Sequence, residues 1–153
     1  MGLWDWALAA YGRPGVAAAC LALQDARGQN VPLLLAAAWA ADQCRTLDLD
    51  RAVALTREWE TEVVGLLRGA RRGLKLSRAP IVDSSRQALR ETVKAVELEA
   101  ERLLLAALES LSWPGEPACV EAALSRAALA WSAGKNSPPP GDDIAALSEA
   151  LLG

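Results

Sequence analysis

Apolar residues along this chain recur mostly at three- and four-residue spacing, the repeat of an amphipathic helix, and seldom at the two-residue spacing of a strand. The pattern predicts a first helix over 2–11, stopped by Gly12-Arg13-Pro14-Gly15. A second follows over 16–26, with Val16, Cys20 and Leu23 on one face and Gly28 closing it. Asn30 is placed to cap a third helix that runs to about 44, with Pro32 in the first turn, where its missing N–H is tolerated. That helix carries the longest apolar run, the 11 residues from Val31 to Ala41. It is apolar almost all round, so it belongs at the centre of a bundle, and it is too short to span a bilayer.

Asp48 opens a long fourth helix that reaches about 76, and after a connection containing Pro80, Asp83 or Ser84 starts a fifth that runs to about 111. A connection of about seven residues makes these two an antiparallel hairpin. Trp113-Pro114-Gly115 breaks the chain, and a sixth helix spans 117–133. The Pro-rich stretch 134–141 reads as a linker, after which Asp142 or Asp143 caps a last helix over 144–152. No internal repeat and no strand pattern stands out. The expected fold is therefore all-α: a single-domain bundle over 1–133 within a set of five to seven helices, a linker at 134–141 and a short amphipathic helix over 142–153.

Composition agrees and narrows the chemistry. Hydrophobic residues make up 52% of the 153 and charged residues 23%, with no Phe, one Tyr and one Met. Alanine and leucine lead the helix propensities, and residues that suit strands are scarce. There is no histidine, which removes Ser-His-Asp and Cys-His nucleophilic sites, His-ligated zinc and haem, and a Glu-x-x-His di-iron centre. Cys20, Cys44 and Cys119 lie far apart with no C-x-x-C, so they are expected as reduced, mostly buried thiols. Glu58, Glu62, Glu97 and Glu101 have i,i+4 spacing, but such carboxylates are ordinarily solvated helix faces. No catalytic residue, metal or cofactor is expected. The N-terminus lacks the basic and apolar segments of a signal peptide, so the location is expected to be cytoplasmic.

Two features bear on helix packing and binding. Gly65, Gly69 and Gly73 share one face of the fourth helix, each at a cost of about 1 kcal/mol against alanine. Either another helix packs closely there, or the helix kinks or breaks near Gly65 or Gly69. More informative is the charge at the hairpin tip, where Arg68, Arg71, Arg72, Lys75 and Arg78 meet Arg86, Arg90 and Lys94 against only Asp83 and Glu91. Five cations over about three turns exceed what a helix dipole calls for. The tip is either a site for an anionic partner or a solvated, internally paired face. Asp25, Asp42 or Glu121 are candidate neutralisers. An acidic protein surface fits an anionic-partner site best, followed by the phospholipid head groups of a membrane surface or a phosphorylated metabolite. The net charge of −3 and the absence of aromatics between Trp59 and Trp113 argue against nucleic acid.

Six tryptophans with no phenylalanine is an unusual way to fill a core. Trp39 belongs in the core. Trp4 and Trp6 point to opposite sides of the first helix, so they are candidates for an interface with a partner or a second copy of the chain. Ile144, Leu147 and Leu151 form an apolar stripe on a final helix too short to be stable alone. That helix must dock, either on its own bundle or in the groove of a partner.

The run Leu3-Trp4-Asp5-Trp6-Ala7-Leu8 through Tyr11, Pro14-Gly15-Val16, Ala19-Cys20-Leu21, Leu23-Gln24-Asp25, Gly28 and Val31 to Leu35 with Trp39 resembles the start of an uncharacterised proteobacterial family of small helical proteins, a domain of unknown function. Trp59, Glu62-Val63-Val64, Leu67-Arg68, Arg71-Arg72, Leu74-Lys75 and Glu97 to Glu101 are similar to its second block. The resemblance covers roughly residues 3–110. It implies a cytosolic bacterial protein and supplies no activity or cofactor. Members commonly carry proline at the position of Gly65, which implies a kink there.

Together these readings lead to a non-enzymatic adaptor or regulator whose cationic hairpin tip docks on an acidic partner. The alternative is a helical protein that binds a small molecule or lipid in an Ala/Leu-lined pocket.

Overall fold

Proline and glycine punctuate the chain throughout the residues that the computed structural model describes, 1–135 and 140–153. Helices α1 (Leu3–Tyr11), α2 (Val16–Arg27) and α3 (Val31–Asp42) are followed by a strand β1 (Arg45–Leu47). Next come α4 (Leu49–Trp59), a π-helical segment (Glu60–Val64) and α5 (Gly65–Gly73), which form one continuous helix. Helix α6 (Asp83–Ser110), strand β2 (Ser112–Pro114), α7 (Val120–Ser132) and α8 (Gly141–Leu152) complete the order. With α4 to α5 taken as one, seven helices are present among the described residues, and the fold is all-α. No single helix among them is long and apolar enough to cross a membrane. The chain forms two compact units, one of residues 1–54 and 105–153, the other of 55–104.

In the first unit α3 is the core element. Every residue from Leu33 to Ala41 is buried, and α3 packs against α1, α2, α7 and β1. Asn30 caps it by accepting a 3.0 Å hydrogen bond from the Leu33 N–H. Three buried indoles each find an acceptor for the ring N–H: Trp6 on Asp42 (2.9 Å), Trp39 on the Met1 carbonyl (3.0 Å) and Trp131 on the Gly28 carbonyl (2.9 Å). Trp6 is therefore core, not interface, because Asp42 satisfies the polar end of its ring; Trp4 stays half-exposed.

The β1–β2 ribbon corrects the strand-free reading. The two strands pair antiparallel, with Arg45 opposite Pro114 and Leu47 opposite Ser112. Strands of three residues are too short to show a period. The turn chemistry around them is specific, however. Cys44 leaves α3 in the left-handed region at φ 50°, and its carbonyl accepts from the Gly115 N–H at 2.9 Å. A Cβ on Gly115 would lie 2.9 Å from the Thr46 nitrogen, so only glycine fits beside β1. The Trp-Pro-Gly break thus builds a ribbon. Cys44 in that turn and Cys119 before α7 are exposed, leaving Cys20 as the one buried thiol of the three.

Helix α8 packs on α2 and α7, which buries Ile144, Leu147 and Leu151 to 3% exposure or less. Arg27 pairs with Asp143 at 2.7 Å, and Arg13 donates to the Leu151 carbonyl. Each contact places charge where the adjoining helix end favours it. The apolar stripe is consequently occupied by this chain's own helices and is not an open interface. Helix α8 begins at Gly141, so Asp142 and Asp143 lie inside its first turn and do not cap it. Helix α7 begins at Val120, later than the spacing suggests. Of the linker expected at 134–141, residues 136–139 lie outside the described residues, and Gly141 already belongs to α8.

The second unit is built from two arms, and its hydrogen bonds pair them in reverse order. The Trp59 ring N–H donates to the Ala100 carbonyl (3.0 Å), Arg71 to Glu97 (2.6 Å) and Arg86 to the Leu74 carbonyl (2.6 Å). The glycines do not form a packing ladder: a Cβ on Gly69 or Gly73 would meet nothing within 4 Å. At Gly65 a Cβ would lie 2.7 Å from the Glu60 carbonyl oxygen, because the widened π turn brings that oxygen across. The irregularity implied near Gly65 is this π segment immediately before it.

Candidate functional site

The tip of the second unit holds the eight cations singled out above; Lys94 pairs with Glu91 at 3.5 Å, and the fold uses the others in different ways. Arg68 and Arg71 face inward. Arg68 pairs with Glu60 at 2.6 Å and with Glu97 at 3.7 Å, while Arg71 pairs with Glu97 at 2.6 Å. Glu97 is only 9% exposed. It raises the Arg71 guanidinium above its ordinary value, chiefly through their hydrogen bond. These two arginines are therefore structural ion-pair partners. The neutralising acids are Glu97 and Glu60; long guanidinium arms reach back along the hairpin to them.

Arg86 is buried, and its Nη1 donates to the Leu74 (2.6 Å) and Lys75 (3.1 Å) carbonyls. Those carbonyls belong to the C-cap of α5 and the residue after it, where a helix end leaves acceptors without intrahelical partners. A cation that sits at the wrong end of its own helix thus caps the neighbouring one. Arg90 is half-buried, and its Nε, like that of Arg86, has no hydrogen-bond partner among the described residues. Arg68, Arg71 and Arg86 accordingly leave the set of cations open to a partner.

Arg72, Lys75 and Arg78 remain exposed, with no ion pair among the described residues. Beside them the loop presents Leu76 (65% exposed), Ile81 (56%) and Val82 (62%). The loop is bonded internally, with Ser77 donating to Asp83 at 2.7 Å and the Ile81 N–H to the Arg78 carbonyl at 2.8 Å. The Ser77 bond, then the charge of Arg86, holds the Asp83 carboxyl below its usual range. The three aliphatics were missed in the sequence. Their signal was apolar residues inside a connection, where no helix face needs them.

Glu60, Glu97 and Glu101 sit with Arg68 and Arg71 in one network. Burial pushes the Glu101 carboxyl up, and Glu97 and Glu60 push it further, against the pull of Arg68 and Arg71. Two guanidiniums engage this cluster, which makes it a structural ion network. Among the described residues no group of three or more His, Cys, Asp or Glu could hold a metal ion.

No curated protein and no solved structure matches the chain. A family model described as a protein of unknown function (DUF2390) matches residues 2–108, a stretch that includes the whole tip, and the chain belongs to that family.

Proposed function

We propose that this protein is a non-enzymatic adaptor or regulator that docks the loop between α5 and α6 on an acidic protein surface. One observation carries the reading: Arg72, Lys75 and Arg78 are exposed and unpaired among the described residues, beside exposed Leu76, Ile81 and Val82. Such a patch combines the two contributions an interface needs. Apolar area gives affinity at about 25 cal/mol per Å² removed from water, and the cations steer the encounter and reject basic surfaces. The internal bonds of the loop reduce the ordering cost of docking. The absence of histidine and the arginine-engaged carboxylates of the second unit support the non-enzymatic part.

The test is capture of partners by immobilised protein from a bacterial lysate, repeated with the triple variant Arg72→Glu, Lys75→Glu and Arg78→Glu. A specific partner retained by the parent and lost by the variant, at unchanged melting temperature, supports the proposal. Capture unaffected by the triple reversal overturns it. Binding to anionic vesicles, with no protein partner, replaces it with a membrane-surface role.

A further inference from the structure

In α3 leucine is confined to 33–35 and alanine holds every position of 36–41 except Trp39, and beside those alanines the first unit has a hollow. Ala37, Ala40 and Ala41 of α3 and Ala123 of α7 form the floor of a pocket of about 330 Å³. Leucine at any of these positions would fill part of it. One wall is β1, and the other is the segment that leads into α7. Arg45 stands on the first wall, Arg126 on α7, and Glu116 on the second wall.

Arg45 is held in place. Its Nε donates to the Ser112 hydroxyl at 2.9 Å, its Nη2 donates to the Ser112 carbonyl at 3.0 Å, and the guanidinium lies 5.4 Å from the centre of the Trp39 ring. No bond among the described residues engages its Nη1. A guanidinium so fixed loses little freedom when it accepts a ligand. Arg126 makes no ion pair or hydrogen bond among the described residues. Two guanidiniums against the single carboxylate of Glu116 leave the pocket net positive above an apolar floor.

We infer that this pocket binds a small aliphatic carboxylate, with the tail on the alanine floor and the carboxylate between Arg45 and Arg126. Its volume lies at the low end of the range for ligand pockets, which suits a short to medium acyl chain. The inference is independent of the hairpin tip.

Titration of ¹⁵N-labelled protein with sodium octanoate tests it, with octanol and acetate as controls, following the Trp39 ring N–H and the Arg45 Nε–H. Octanoate is expected to shift both signals saturably, and each control to bind roughly tenfold more weakly or worse, since each lacks one half of the recognition. Arg126→Gln, a change at an exposed side chain, is expected to weaken octanoate by roughly tenfold or more. Ala123→Leu is expected to abolish binding by filling the floor; if it fails to fold, Arg126→Gln decides alone. The tip variant is expected to bind octanoate like the parent. Absence of a saturable shift, octanol binding as tightly as octanoate, or an unaffected Arg126→Gln overturns the inference.

Discussion

Replacing Arg71 by alanine removes the nearest counter-charge of Glu97, which stands at 9% exposure in the second unit. Stripping one partner from a fully buried ion pair costs about 3–5 kcal/mol, mostly the penalty of the orphaned charge. Here the Arg71 side chain is 27% exposed and Arg68 remains 3.7 Å from Glu97. Both reduce the penalty, to about 1–3 kcal/mol. In a chain of this size each kcal/mol moves the melting temperature by about 2–4 °C. Arg72→Ala, Lys75→Ala and Arg78→Ala break no such pair and are expected within about 0.5 kcal/mol of the parent. Urea melts of Arg71→Ala, Glu97→Ala and the double variant close a cycle. With Glu97 gone, the loss of Arg71 is expected to cost little, giving a coupling of about 1 kcal/mol or more. If Arg71→Ala melts like Arg72→Ala, or the coupling vanishes, the division of the tip into structural and available cations is refuted. The division also decides which substitutions can report on docking, since reversing Arg71 would disturb the fold itself.

Gly65→Ala is expected to destabilise by about 1–3 kcal/mol because its Cβ would press on the Glu60 carbonyl. Gly69→Ala, in open space, is expected to stabilise by up to about 1 kcal/mol; paired thermal melts read the opposite signs. Leu147→Ala is expected to cost about 2–5 kcal/mol at every protein concentration, as the loss of a side chain buried within its own chain requires. In the native protein at pH 8, a thiol reagent is expected to modify Cys44 and Cys119 readily. Cys20 should react only on unfolding, since burial lifts its thiol to about 11 despite the Tyr11 hydrogen bond. Glu101→Gln is expected to raise stability at neutral pH. The folded carboxyl titrates above the unfolded one, so its favourable contribution is present in acid and lost as pH rises through the folded value. The gap between variant and parent should open across that range; a gap constant with pH refutes it.

Helix existence was readable wherever a stop signal and a periodic run coincided. Gly12 to Gly15 ended α1, Asn30 capped α3, and Asp48 preceded α4, whose Arg51 N–H bonds its carboxylate at 3.2 Å. What escaped was set by contacts distant in sequence. The ribbon needs Thr46 and Trp113 opposite one another, residues joined through nothing local. The π turn adds one residue's width to a helix whose apolar spacing scarcely changes. The fate of the cations was also hidden, because counting charges along a helix does not show that Arg71 can reach Glu97 or that Arg86 can reach carbonyls across the hairpin. The exposed aliphatics of the tip and the alanine floor of the pocket were both visible as residues. Neither was visible as a surface until the chain closed around it.

The two candidate surfaces divide differently across the family match. Residues 72–82, with Arg72, Lys75, Arg78 and the exposed aliphatics Leu76, Ile81 and Val82, fall inside the matched stretch 2–108. The pocket draws Glu116, Ala123 and Arg126 from beyond it, and only with α7 in place do the alanines of α3 become a floor. A property carried by the matched residues alone can therefore reside in the tip but not in the pocket. Transplanting 55–104 would not by itself settle the point, since α4 and α6 both continue into the first unit. Full-length chains that differ only at Arg72, Lys75 and Arg78, or only at Arg126, separate the two surfaces because each set is exposed and unpaired among the described residues. Loss of partner docking in the first without loss of carboxylate binding, and the reverse in the second, is the pattern that two independent sites require.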